Sequence, residues 1–212
     1  MSSHILSPSI SWFPPVSTLT TTIMDPADVL DMTDEQLAAR AQQGLQLAYT
    51  ALANRYWEKL LRYVRRILPN TNEAEDIVQE ALLKAYTHLK SFNTERRFSP
   101  WVYRITHNTI VDHAKTLGRR PLPFFDPEVL FPHPIAKERP DTEAESASIR
   151  QLLERHIAAL DQKYREPLVL RYLEDLSYRD IADVLRLPVG TVGIRIKRGL
   201  HQLRQHLPPD IR

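Results

Sequence analysis

Residues 176–207 read "LSYRDIADVLRLPVGTVGIRIKRGLHQLRQHL", and two short helices with a tight break between them are written into that stretch. Ser177 and Asp180 have the Ser-x-x-Asp spacing of a capping box, in which each side chain satisfies a backbone N–H that the helix start leaves without a partner. A helix therefore opens at Tyr178 and turns Ile181, Ala182 and Leu185 toward a core. Pro188 has no N–H to give to a helix interior but suits a first turn. A second helix begins there and runs on through Val192, Ile194 and Leu200. Two helices joined by so short a turn predict a helix-turn-helix, whose second helix enters the major groove of DNA.

Charge agrees with that prediction. From Val184 to Pro209 there is no acidic residue, while Arg186, Arg195, Lys197, Arg198 and Arg204 lie on or near the second helix. A phosphate-binding surface has this footprint; a solvated basic helix packed on a neighbour shares it. Gly190, Thr191 and Gly193 favour the DNA reading, because small residues let the backbone approach a ligand closely.

Working outward, the chain has 212 residues, 42% hydrophobic and 25% charged, which is enough for one or two small domains with real cores. Its net charge is only +2, so any electrostatic recognition is local. With no cysteine, disulfides, thiolate-bound zinc and a thiol nucleophile are excluded, and a reducing cytoplasm suits the chain. The apolar runs fall far short of the roughly 20 residues that span a bilayer, and the N-terminus lacks the pattern of a secretory signal. A soluble cytoplasmic protein without membrane insertion is expected.

Residues 1–28 are rich in Ser, Thr and Pro and are expected to be a disordered extension, with Met24 as a second candidate start. From Thr33 to Leu68 apolar residues recur at helical steps, among them Leu37, Ala41, Leu45, Leu52, Tyr56, Leu60 and Val64, with a weak point at Gly44. Pro69 to Thr71 break the run, and Asn72 is the expected cap of a helix opening near Glu73. Ala74, Ile77, Val78, Ala81, Leu82 and Ala85 form its buried stripe. Asp76, Gln79, Glu80 and Leu83 point the other way, a pattern of either a partner surface or an ordinary solvated face. A further helical block runs from Pro100 to about Leu117. Residues 121–148 hold six of the 16 prolines and six acidic against two basic side chains, the composition of an extended linker. Helical spacing returns over 149–207. The expected architecture is all-α: two small helical domains, 29–120 and 149–212, joined by an acidic, proline-rich linker at 121–148.

Residues 93–120, "NTERRFSPWVYRITHNTIVDHAKTLGRR", mix bulky aromatics, amides and hydroxyls with six basic and two acidic side chains. Cations hold a nucleic-acid backbone, aromatic faces stack on unpaired bases, and polar groups read base edges. Trp101 and Tyr103 are expected to lie mostly in the core.

The quoted helix-turn-helix closely resembles the C-terminal DNA-binding domain of sigma-70 family factors of the extracytoplasmic-function type, in which the second helix reads the −35 promoter element. The resemblance implies −35 contacts at Tyr178, Thr191, Arg195, Lys197 and Arg198. "NEAEDIVQEALLKAYTHLKSF", residues 72–92, looks like the family's helix for binding core RNA polymerase, which implies Asp76, Gln79, Glu80 and Leu83 as the docking residues. Residues 93–120 resemble the promoter-melting and −10 region. Carried over, this implies −10 roles for Asn93, Thr94, Arg96, Arg97, Phe98, Trp101, Arg104, Asn108, Asp112, Lys115 and Arg119, with the loop Asn93–Arg97 as the best pocket for a flipped base. The chain departs from the family at Lys115, often arginine, and at the more basic Arg96-Arg97 pair.

The resemblance spans about residues 33–118 and 149–207. It implies a sigma region 2-like bundle and a region 4-like helix-turn-helix, core RNA polymerase and promoter DNA (duplex at −35, single-stranded at −10) as partners, and an anti-sigma factor as inhibitor. No cofactor is implied. The linker is either a nucleic-acid mimic threaded into the polymerase or a passive tether. Enzymatic chemistry finds no support: there is no His-Glu-x-x-His, no glycine-rich phosphate loop, only five glycines, and His107 and His113 are six apart. The rival reading is a stand-alone helix-turn-helix regulator that binds duplex DNA without core polymerase, for which the face from Asp76 to Leu83 has no use.

Overall fold

Thr33 opens the first helix by a reciprocal cap: its hydroxyl accepts from the Gln36 N–H at 3.2 Å, and the Gln36 side chain accepts from the Thr33 N–H at 2.9 Å. The computed structural model describes residues 29, 31–68, 72–116 and 142–205. Helix α1 (Asp34–Gln42) stops short of Gly44, whose φ of +97° is open to glycine and strained for any side chain. The expected weak point is therefore a break, after which α2 (Gln46–Ile67) carries the longest apolar stripe. Next come α3 (Ala74–His88), a 3-10 turn at Leu89–Ser91, and α4 (Phe98–Thr116).

The start of α3 differs in detail from expectation. Glu73, not Asn72, occupies the cap position, and no side chain bonds there; the Glu73 carboxylate lies 3.8 Å from the His113 ring instead. Glu75 and Asp76 do fill the first turn, where the helix dipole favours anions. Ala74, Ile77, Val78, Ala81 and Ala85 are buried and Leu82 half-buried. That stripe meets Leu52, Tyr56, Leu60 and Val64 of α2, Leu37 of α1 and Val102 and Ile110 of α4 in one core. Each leucine, isoleucine and valine among them contributes about 1.5–3 kcal/mol on burial.

In the second unit α5 (Glu143–His156) begins inside the stretch expected to be linker. The Thr142 hydroxyl accepts from the Glu145 N–H at 3.2 Å, and Glu143 and Glu145 sit in the first turn. These acidic residues start a helix rather than extend a tether. The rest of the expected linker, 121–141, the N-terminal extension and the Pro69–Thr71 break lie outside the described residues.

A 3-10 turn at Ile157–Ala159 leads to α6 (Gln162–Tyr172), α7 (Tyr178–Leu185) and α8 (Val189–Gln205). The Ser177–Asp180 capping box forms as expected, with both backbone N–H groups bonded at 3.2 Å. Ile181, Ala182 and Val184 are buried, while Leu185 is half-buried. The turn into α8 passes through Arg186 in the left-handed region, φ +53°. Gly199 lets α8 lie close to α6, because a Cβ there would meet Leu168 Cδ1 at 2.7 Å.

The two units pack on each other. Helix α4 of the first runs against α7 of the second, and α2 touches α6. Among the described residues there is no strand.

Candidate nucleic-acid interface

The loop Asn93–Arg97 is held at both ends. At the end of α1, Gln42 Nε2 donates to the carbonyls of Leu89 at 2.8 Å and Phe92 at 2.7 Å, which fixes the turn that delivers the loop. Within it, Asn93 Oδ1 accepts from the Glu95 N–H at 2.9 Å and the Asn93 carbonyl from the Arg96 N–H at 3.0 Å. At its exit Glu35 Oε1 accepts from the Phe98 N–H at 3.0 Å, a carboxylate at the positive end of α4. Asn93, Glu95, Arg96 and Arg97 are exposed and Thr94 half-buried. Periodicity alone does not reveal Gln42 or Glu35 as loop-holding residues, since both contacts cross from α1 to a distant part of the chain.

Phe98 was expected to meet DNA, and the structure corrects this. Its ring is 2% exposed, with ring centroids 5.3 Å from Tyr56, 5.4 Å from Phe92 and 5.4 Å from Trp101. A ring enclosed by three others has no face left for a base. Trp101 is half-buried, 5.0 Å from Phe92, and Tyr103 lies in the core as expected. Along α4, Arg104 and Asn108 are half-buried and Asp112 and Lys115 exposed. Asp112 lies 3.6 Å from Lys115 and 3.7 Å from Lys84. Arg119 lies outside the described residues.

On α3 the docking candidates mostly face water. Asp76 and Gln79 are exposed and Leu83 is 49% exposed. Tyr86, which the sequence did not single out, widens the apolar part of this face and lies 4.9 Å from Tyr49. Glu80 is committed within the unit, 2.8 Å from Lys84 Nζ and 2.7 Å from His113 Nε2. The hydrogen bonds from Lys84 and then His113 hold its carboxyl below the usual range.

The helix-turn-helix candidates divide. Lys197 and Arg198 are exposed, and Tyr178 is half-buried with the Arg171 guanidinium 5.8 Å from its ring. Thr191 is 1% and Arg195 8% exposed, which removes both from the surface on which they were expected. The Arg195 cation instead helps keep Glu166 of α6 ionised.

Glu166 is the centre of the seam between the units. It is 3% exposed, yet Tyr63 of α2 donates its hydroxyl to it and His107 Nδ1 of α4 lies 2.7 Å away. Burial opposes its charge, but His107, Tyr63 and Arg195 outweigh burial and hold the carboxyl below its ordinary range. Burial likewise opposes a charged His107, and the charge and hydrogen bond of Glu166 overcome it, so the ring holds its proton above the ordinary histidine range. Nearby, Tyr103 donates to Glu174, which lies 3.6 Å from Arg66; burial leaves the Glu174 carboxyl raised despite these partners. At the edge Arg97 lies 3.2 Å from Asp180. Among the described residues no group of His, Cys, Asp and Glu is placed to hold a metal.

The family model for Sigma-70 region 2 matches residues 52–120, which hold most of α2 with α3, the loop and α4; the model for Sigma-70, region 4 matches residues 150–203, spanning most of α5 to α8. The chain is 33% identical over 186 residues to the ECF RNA polymerase sigma factor SigW of Bacillus subtilis (strain 168), covering 84% of this chain and 98% of that protein. The chain belongs to the sigma-70 family, in its extracytoplasmic-function branch. The ECF RNA polymerase sigma-E factor of Escherichia coli (strain K12) is 35% identical over 188 residues, 85% of this sigma factor and 97% of its relative. Among solved structures, CnrH in complex with the cytosolic domain of CnrY aligns at a TM-score of 0.57 and 27% identity, over 81% of this chain and 95% of that one. The sigma factor RpoE of Bartonella quintana, solved with the anti-sigma factor NepR, shares the fold at a TM-score of 0.53 and 21% identity, over 74% of this chain and 94% of that one. Membership places the chain among transcription initiation factors. No described helix of this sigma factor is long and apolar enough to cross a membrane.

Proposed function

We propose that this sigma factor is a dissociable cytoplasmic subunit that docks on core RNA polymerase and directs it to promoters carrying paired −10 and −35 elements. The observation that carries this is the face of α3: Leu83, 49% exposed between the charged and amide side chains of Asp76 and Gln79, opposite a fully packed stripe. An apolar anchor in a polar rim is what a protein partner uses, and a self-sufficient DNA-binding regulator has no need of it. In this assignment Asp76, Gln79 and Leu83 dock, with Glu80 setting the register of α3 on α4. Asn93, Thr94, Arg96 and Arg97 capture an unpaired −10 base, with Arg104, Asn108, Asp112 and Lys115 along the adjoining helix. Lys197, Arg198 and the edge of Tyr178 meet the −35 duplex.

No covalent step is involved. Binding energy for the unpaired strand drives opening, so the protein acts by stabilising one state of the DNA. CnrH is solved with the cytosolic domain of another protein, and an anti-sigma partner is proposed here by that likeness. The test is in vitro transcription by purified core polymerase on a genomic promoter library, with and without this chain. New start sites sharing a −35 and −10 pair are expected. No new starts, together with tight duplex binding by the chain alone, would replace this assignment with a stand-alone regulator.

A further inference from the structure

Helix α1 carries Glu35, Ala38 and Gln42 on one face, at steps of three and four residues. The outer two hold opposite feet of the loop Asn93–Arg97. Glu35 Oε1 accepts from the Phe98 N–H at 3.0 Å, and Gln42 Nε2 donates to the carbonyls of Leu89 at 2.8 Å and Phe92 at 2.7 Å. Ala38 between them is fully buried. Seven residues of helix span about 10 Å, so one rigid element spaces the two feet. The start of α1 is itself pinned to α2, because Asp34 accepts from Arg55 Nη1 at 2.9 Å and from the Tyr56 hydroxyl at 2.6 Å.

Under the loop, the rings of Phe92 and Phe98 meet edge to face at 5.4 Å, with Trp101 against both. Within it, Asn93 accepts from the Glu95 and Arg96 amides. Its own bonds give the loop a shape, and α1 gives that shape its place. Two kinds of contact then respond differently. The exposed cations of Arg96 and Arg97 attract any phosphate backbone, which positions a strand without reading it. Reading a base needs groups held within about 0.5 Å of their working geometry, and a loop that has to be ordered as it binds gives up part of its interaction energy. Loss of the feet therefore removes discrimination and leaves attraction.

Taking the assignment of this loop to the −10 element as given, we propose that Glu35 and Gln42 are positioning residues for −10 discrimination. Neither touches the strand. Both act through the loop, by holding its ends at the separation that shapes a base-selective pocket.

The full chain bound to core polymerase is offered a pool of random single-stranded oligonucleotides, with core alone as the blank. The wild type should enrich one short sequence, which is then titrated beside a scrambled strand of the same composition. Gln42→Met keeps the length and removes the donor; Glu35→Leu removes the acceptor. Each should lower the preference for the enriched strand about five- to tenfold, with the scrambled strand bound within about twofold of wild type. Glu35→Gln keeps an oxygen at the same reach and should retain most of the preference. Gln42→Glu turns a carboxylate toward two carbonyl oxygens and should lose it, so exchanging acid and amide has opposite outcomes at the two positions. In the free full chain, hydrogen exchange at the Glu95 and Arg96 amides should quicken in Gln42→Met. A preference unchanged in Gln42→Met and Glu35→Leu would overturn the brace even if melting temperatures fell, since that is what a merely structural role does. Equal losses on both strands would overturn it too, as would a loss in Glu35→Gln as large as in Glu35→Leu. If the wild type enriches no strand, the −10 assignment fails and the brace falls with it; if it enriches one that every variant enriches equally, the brace alone falls.

Discussion

Tyr63 donates a hydrogen bond to Glu166, 103 residues further along the chain, and that bond joins the two halves of the molecule. His107 bonds the same carboxylate from α4, so the contact between the units contains an imidazole whose proton Glu166 holds above the ordinary histidine range. Glu166 from α6 faces it, Tyr63 of α2 shares that carboxylate, Arg195 of α8 lends its charge to Glu166, and Arg186 after α7 weakly opposes the His107 proton.

The sign of the pH effect follows. His107 is raised above its ordinary value of 6.5, so its contribution to the contact is complete below that value and is lost as pH climbs through the raised one. Glu166 is lowered from 4.5, so its contribution is present above that value and is lost only as pH falls through the lowered one. Glu174 is raised from 4.5 and favours the contact more once protonated, which adds to its stability on the acid side. The contact between the units should be most stable at about pH 5–6.5 and weaken in alkali. Thermal melts followed from about pH 5 to 9 check this, and His107→Gln should flatten the alkaline limb.

For the docking face, Asp76→Lys with Leu83→Ala should weaken binding to core polymerase about tenfold or more, read in competition with the wild type. Both positions are exposed, so melting should stay within about 0.5 kcal/mol. Unchanged affinity would discard the face.

The basic helix predicts two kinds of variant. Lys197→Ala and Arg198→Ala should leave the fold intact, weaken duplex binding and each reduce the salt slope by about 1. Arg195→Ala should instead lower stability, by about 1–3 kcal/mol, because it removes a buried side chain whose charge helps keep Glu166 ionised. Salt-dependent binding and thermal melts separate the two classes.

Backbone geometry predicts a further pair. Gly44→Ala puts a side chain at φ +97° and should cost about 1 kcal/mol or more, several degrees in Tm. Gly199→Val drives atoms into Leu168 and Tyr164, where even a Cβ would approach to 2.7 and 3.1 Å, and should cost about 1–3 kcal/mol or more.

Local signals carried much of the fold. The Ser177–Asp180 box, the break at Gly44 and the stripe from Ala74 to Ala85 depend on residues close in sequence, and each could be read from spacing. Phe98 could not: an aromatic in a basic stretch looks like a stacking platform until Tyr56, Phe92 and Trp101 are seen around it. Arg195 misled for a similar reason, since a basic helix gives no hint of which cation turns inward. The seam was illegible because its bonds join residues far apart in sequence. One trace was present, a glutamate beside the apolar run Pro167–Leu170, where a buried charge requires partners from elsewhere.

The two bonds from Gln42 to the carbonyls of Leu89 and Phe92 have a consequence for promoters on the proposed assignment. A loop braced before DNA arrives contributes a nearly constant amount of work at every site. Differences in strength among promoters sharing one −10 sequence then reside in the nucleic acid: in how readily the flanking base steps unstack, and in how supercoiled the template is.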